Sequence, residues 1–157
     1  MPKLAVAMSM TMASRVRLLL AALWAGSLWT IGYVVAPTLF LSLHDNVLAG
    51  TIVGSLLRSQ AWLAIGCAVV LYGLVKFSAI APAQKRTLSL LIVAMLACAL
   101  VIYVGLQPAM ANLKAAAGAL GLAGTPQGRQ FSILHGVSQL VYLVESVLAG
   151  VLLVKMR

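Results

Sequence analysis

Few side chains in this sequence can do chemistry. Its 157 residues include 2 acids, Asp45 and Glu145, and 2 histidines, His44 and His135, against 11 lysines and arginines. His44 and Asp45 are adjacent. His135 opens a later apolar run and Gln107 closes an earlier one, so the four reach one level if successive runs alternate in direction. Two imidazoles and a carboxylate at one level would suit a metal, a haem or a quinone head group. The same residues also suit helix ends, because Asp45 stands just before an apolar run, where its oxygen would accept from unpaired backbone N–H groups. Both readings of His44, Asp45, Gln107 and His135 stay open at this level.

Arg58 and Glu145 are different, because each interrupts an apolar run. At 100° per residue, Ser138, Tyr142, Glu145 and Ala149 share one narrow arc with His135. Thr51, Ser55, Arg58, Trp62 and Gly66 share another on the second run. Polar stripes in lipid turn towards other helices. Measured from the ends that share one side, Arg58 and Glu145 lie about 16 and 21 Å along their helices. A lone charge at mid-bilayer costs at least about 2.5–3.5 kcal/mol, so the expectation is an Arg58–Glu145 ion pair, with Ser138 or Tyr142 as a nearby donor. The alternative is Glu145 as a carrier of a proton or cation.

The remaining chemistry is sparse. No phosphate-binding glycine loop, nucleophile elbow or His-Glu-x-x-His pattern occurs, and one Glu with two His offers no convergent nucleophile and base. The expectation is a non-enzymatic protein with no resident cofactor. Cys67 and Cys98 match no ligand spacing and read as small packing residues. Met8, Met10 and Met12 form a Met-x-Met-x-Met pattern of the kind that binds Cu(I), and the start codon could equally stand at Met1, Met8, Met10 or Met12.

The elements that must position these residues follow from composition. The chain is 63% hydrophobic and 8% charged, with mean hydropathy +1.09. A soluble domain is about 45–50% apolar and about 25% charged, and a chain this short cannot hide the excess. An integral membrane protein remains, with the lipid bilayer as its first partner. A span needs about 20 apolar residues. Four runs qualify, giving helices over about 18–41, 48–75, 87–108 and 131–154, a tail over 1–15, and one transmembrane domain over 16–157. Continuous apolar runs exclude the alternating pattern of a barrel, so the fold expected is an all-α, up-down-up-down bundle. Pro37, inside the first span, predicts a kink.

The net charge of +9 has a similar explanation. Lys3, Arg15, Arg17, Lys76, Lys85, Arg86, Lys155 and Arg157 fall on one side, while Lys114 and Arg129 fall on the other. This positive-inside bias places both termini in the cytoplasm, with an uncleaved first span. With no aromatic-rich basic module, nucleic acid is excluded as the partner. Pairs of small residues, Ala22/Gly26, Gly50/Gly54 and Ser146/Gly150, predict close helix approach.

Several pieces together resemble a known family. They are Ala36-Pro37-Thr38-Leu39-Phe40, Leu48-Ala49-Gly50, Ala61-Trp62, Gly105-Leu106-Gln107-Pro108 and His135-Gly136-Val137-Ser138. The chain resembles, over about residues 15 to 154, a bacterial domain-of-unknown-function membrane family similar to eukaryotic transmembrane protein 205. That resemblance implies four helices in the bacterial inner membrane and implies no activity. Asp45, Gln107 and His135 fit the pattern. Arg58 stands where the pattern has a small uncharged residue, and Glu145 where it has glutamine, which suits a compensating pair particular to this chain. The function expected is an interaction or accessory subunit, or a small homo-oligomer. The alternative is a transporter or binder of a metal, haem or small cation at the outer His/Asp group.

Overall fold

The computed structural model describes residues 2–118, 121–122 and 124–156, with side chains from Met12 onward. All regular structure among them is helical. Helix α1 (Pro2–Trp29), a π-helical segment (Thr30–Val35) and α2 (Ala36–Ser42) make a first rod. The second rod is α3 (Asn46–Lys76). The third joins α4 (Pro82–Leu100), a second π-helical segment (Val101–Leu106) and α5 (Gln107–Ala117), and α6 (Pro126–Met156) is the fourth. Four stretches, Met12–Ser42, Asn46–Lys76, Pro82–Ala117 and Pro126–Met156, are long and apolar enough to cross a membrane. At 1.5 Å per residue, the 31 residues of α3 or α6 reach about 46 Å, beyond the ~30 Å hydrocarbon core.

Local chemistry sets the ends. Asp45 accepts from the N–H groups of Val47 at 2.8 Å and Leu48 at 3.1 Å, which caps α3. Pro82 opens α4 where no N–H is needed. Gly118, with φ of 54°, ends α5 in a conformation that side chains disfavour.

The two π-helical segments have a common cause. Each ends one residue before an x-Pro step, Ala36-Pro37 or Gln107-Pro108. Proline removes the donor for the carbonyl four residues back and crowds it. Here the backbone N–H of Ala36 reaches Ile31 O and that of Gln107 reaches Ile102 O, a five-residue step that widens the turn. The Thr38 hydroxyl donates to Val34 O at 2.7 Å, satisfying a carbonyl within the widened turn. The third rod therefore passes through Gln107-Pro108 and continues to Ala117 instead of closing at 108. At the N-terminus, residues 2–15, expected as a tail, continue α1 as helix. The side chains of Met8 and Met10 lie outside the described residues, and Met12 is exposed.

The rods contact one another as a ring: first with second, second with third, third with fourth, fourth with first. At one end Gln84 Nε2 donates to Lys155 O at 3.4 Å and Lys85 Nζ to Lys76 O at 3.2 Å. At the other, Lys114 Nζ lies 5.2 Å from the Phe131 ring. Trp24, Leu28, Leu71, Leu88, Ile92, Met95 and Leu152 are fully buried between the rods. Outward, Leu19, Val69, Leu90, Val104, Leu140 and Val154 are all exposed. An apolar surface on every rod is what a lipid solvent requires and water does not tolerate. The protein is a multi-pass membrane protein.

Candidate functional site

Rotation of α3 decides the interior. Its buried residues are Ala49, Gln60, Ala61, Ala64, Cys67, Ala68, Leu71 and Val75, while Thr51, Ser55, Arg58, Trp62 and Gly66 are exposed. The polar stripe expected to turn inward lies about 180° from the side that packs. Small residues explain the choice, because Ala61, Ala64 and Ala68 let the backbones approach closely. Ala21 and Ala25 serve likewise on α1, in place of Ala22/Gly26. Gly26 and Gly54 have nothing within 4 Å of a built Cβ, so neither marks a close approach.

Arg58 and Glu145 are consequently apart. Arg58 is exposed, Glu145 is buried at 2% exposure, and no ion pair joins them. The polar residue that α3 brings to the cavity beside Glu145 is Gln60, near the middle of the helix. Gln60 and Glu145 line one cavity together with Tyr103, Gln107 and Tyr142, against Leu28 of α1. The cavity has a volume of about 20 Å³. About 10–15 Å³ suffices for one water, so one water or one small bare ion fits, and a haem or quinone does not.

Its polar groups are unusually short of partners. Gln60 is 5% exposed, yet neither its Oε1 nor its Nε2 has a hydrogen-bond partner. The Trp24 indole is a neighbour of the Glu145 carboxyl, but its N–H makes no hydrogen bond of ordinary geometry. Most buried polar groups in proteins are paired, and each unpaired one costs about 1–3 kcal/mol. A carboxyl, an unpartnered amide and an indole N–H are thus gathered inside the bundle with hydrogen-bonding capacity unused.

The surround is firm. Tyr142 donates to Leu28 O at 2.6 Å, and its ring sits against Gly32, where a Cβ would collide with it. Tyr33 meets Tyr142 edge to face at 6.2 Å and donates to Ser146 Oγ at 3.0 Å. Trp29 Nε1 donates to Ser146 O at 3.3 Å. These bonds fix the α6 surface that carries Glu145. The second π-helical segment brings Ile102 and Tyr103 to the cavity and Gln107 follows it. Such segments are frequent at functional sites.

The outer residues are placed differently. Asp45 is exposed and spends Oδ1 on the α3 cap. His135 is exposed, stacks on Phe131 at 6.0 Å and meets Gln139 Nε2 at 3.1 Å. His44 is exposed too, while Gln107 faces the inner cavity. Among the described residues no three of His, Cys, Asp and Glu come together. Ser138 donates to His135 O at 2.7 Å, and Tyr142 alone of the supporting stripe reaches the cavity with Glu145. Gln60 and Trp24 were not singled out as site residues from sequence. The available signal was a lone amide on the small-residue face of α3. Arg17, read there as a topology charge, is 9% exposed, with Nη1 unpartnered.

Neither a curated protein nor a solved structure matches this chain. Residues 19–119 match the family described as Domain of unknown function (DUF4149). The match begins within α1, covers the second and third rods, and ends before α6, which carries Glu145. The chain belongs to the DUF4149 family.

Proposed function

We infer that this is a four-span protein of the bacterial cytoplasmic membrane, non-enzymatic, that holds one small cation at Glu145 inside the bundle: a proton, or a monovalent ion stripped of water. The spans alternate in direction and both termini lie in the cytoplasm. Supporting that topology are the end contacts of Gln84 with Lys155 and Lys85 with Lys76, and the basic residues gathered at that end.

One observation carries the cation reading. Glu145 is buried with no cation beside it, facing a cavity whose other buried polar group, Gln60, is wholly unpartnered. An ionised carboxylate in such surroundings is costly unless a positive charge joins it. One carboxyl with amide and phenol oxygens suits a singly charged guest. A calcium ion prefers 6–8 oxygens. The outer His/Asp group is not needed for this role.

The test is thermal unfolding of the purified protein in mild detergent. Lithium, sodium and potassium chloride are compared with choline chloride at equal ionic strength, across a pH series. A guest that binds only the folded chain raises the midpoint with concentration. Stabilisation by one inorganic cation, or by acid, that disappears in Glu145→Gln supports the reading. A midpoint indifferent to cation and pH, or a response unchanged in Glu145→Gln, defeats it.

A second reading, an accessory subunit or small oligomer, draws on the outward face of α3. There Thr51, Ser55, Arg58, Ser59 and Trp62 present a polar band where lipid is expected. Polar residues within spans commonly bond to another helix. Copurification from native membranes tests it, since a partner lost on Arg58→Leu would place the contact there.

A further inference from the structure

The basic end of the bundle contains a second feature, separate from the Glu145 cavity. An open groove of about 480 Å³ lies between the last turns of α3 and the first turns of α4. Lys76, Lys85 and Arg86 form its rim. Lys85 Nζ donates to Lys76 O at 3.2 Å, and Lys76 Nζ stands 6.0 Å from the Tyr72 ring. The first turn of α4 adds the partial positive charge of a helix start.

Among the described residues no acidic side chain stands beside these cations. The chain holds only 2 acids. Asp45 caps α3 at its opposite end, and Glu145 is sealed in the interior. No acidic side chain therefore neutralises the rim, which is free to attract an anion from outside.

Below the rim the groove becomes apolar. Tyr72 lies about 6 Å beneath Lys76 along α3, and Leu90 and Val93 lie about 6 and 10 Å beneath Arg86 along α4. Leu90 and Val93 are 60% and 51% exposed, so their surfaces are free for a ligand. Ser89, half-buried between the two zones, can offer a hydroxyl. Cationic at the membrane surface and apolar a turn or two deeper, the groove has the polarity of an anionic phospholipid in the same leaflet.

We propose that this groove is a binding site for an anionic phospholipid, its phosphate held among Lys76, Lys85 and Arg86 and an acyl chain laid along Leu90 and Val93. Basic pockets between spans bind such head groups in other membrane proteins. Free phosphate would meet the same cations and gain nothing from the apolar floor. The proposal rests on the membrane-spanning reading and is independent of the Glu145 site.

The experiment is native mass spectrometry of the delipidated full chain in mild detergent, titrated separately with phosphatidylglycerol, phosphatidylcholine and inorganic phosphate. The expected result is preferential retention of phosphatidylglycerol, weakened by salt. At about fivefold per basic residue, K85Q/R86Q weakens retention about 25-fold. Arg129→Gln, at the opposite end, leaves it unchanged, and matching circular dichroism spectra verify that all variants fold. A Leu90→Ser variant, which adds no charge to the rim, also weakens lipid retention while keeping its weak response to phosphate. Equal binding of phosphatidylcholine, phosphate binding as tight as the lipid's, or phosphatidylglycerol retention unchanged in K85Q/R86Q would each overturn the proposal.

Discussion

Gln60 of α3 and Glu145 of α6 line one small cavity at the centre of the bundle, while Arg58, two residues from Gln60, faces outward. Two residues on a helix are about 200° apart, so one rotation of α3 can bring only one of them to Glu145. Packing selects Gln60, because the small residues that admit neighbouring backbones are on its side.

Arg58 is therefore dispensable for stability. In detergent, Arg58→Gln is expected to change the unfolding free energy by no more than about 0.5 kcal/mol. Breaking a buried ion pair at one end would cost about 3–5 kcal/mol. Chemical unfolding of the two proteins separates these values directly, and a loss in the larger range would restore Arg58 as the partner of Glu145.

Gly32 predicts a sharper loss. A Cβ there would run into the Tyr142 side chain, which is held by its bond to Leu28 O. Gly32→Ala should destabilise by about 1–3 kcal/mol, the usual cost of overpacking. Gly26→Ala, with nothing within 4 Å, should be neutral or stabilising by up to about 1 kcal/mol through helix propensity. Equal melting points for the two variants would mean that Tyr142 does not sit against Gly32.

Asp45 acts as a cap. Asp45→Ala should cost about 1 kcal/mol, and Asp45→Asn or Asp45→Ser should restore most of it, because each keeps an acceptor oxygen. A metal ligand would behave otherwise, since replacing the carboxylate by Asn or Ser would abolish a metal-dependent rise in melting temperature. Melting curves with and without added zinc distinguish the two roles.

The sequence carried some of this fold openly and hid the rest for physical reasons. The four rods were legible because bilayer thickness sets a length that hydropathy alone can meet. The inward position of Tyr142, Glu145 and Ala149 was legible because on α6 the polar stripe and the small pair Ser146/Gly150 lie on adjacent sides and do not compete. On α3 two signals competed: Thr51, Ser55 and Arg58 pointed one way, and Ala61, Ala64 and Ala68 the other. Close packing prevailed, so the expected ion pair did not form. Gln107 was placed at the end of a span because proline reads as a stop. The widened turn before Pro108 lets the helix continue and leaves Gln107 beside the cavity.

The central claim is that Glu145 is where a small cation is taken up. Infrared difference spectroscopy of the protein in lipid tests it most directly, on exchange of choline for a monovalent metal cation and on a change of pH. The chain has only 2 acidic side chains, so the side-chain carboxyl bands can be assigned with Glu145→Gln and Asp45→Asn. The account predicts a carboxyl band that shifts on cation exchange at constant pH, is absent in Glu145→Gln and persists in Asp45→Asn. A carboxyl spectrum unchanged by cation exchange at constant pH, or a cation-induced change retained in Glu145→Gln, would contradict it.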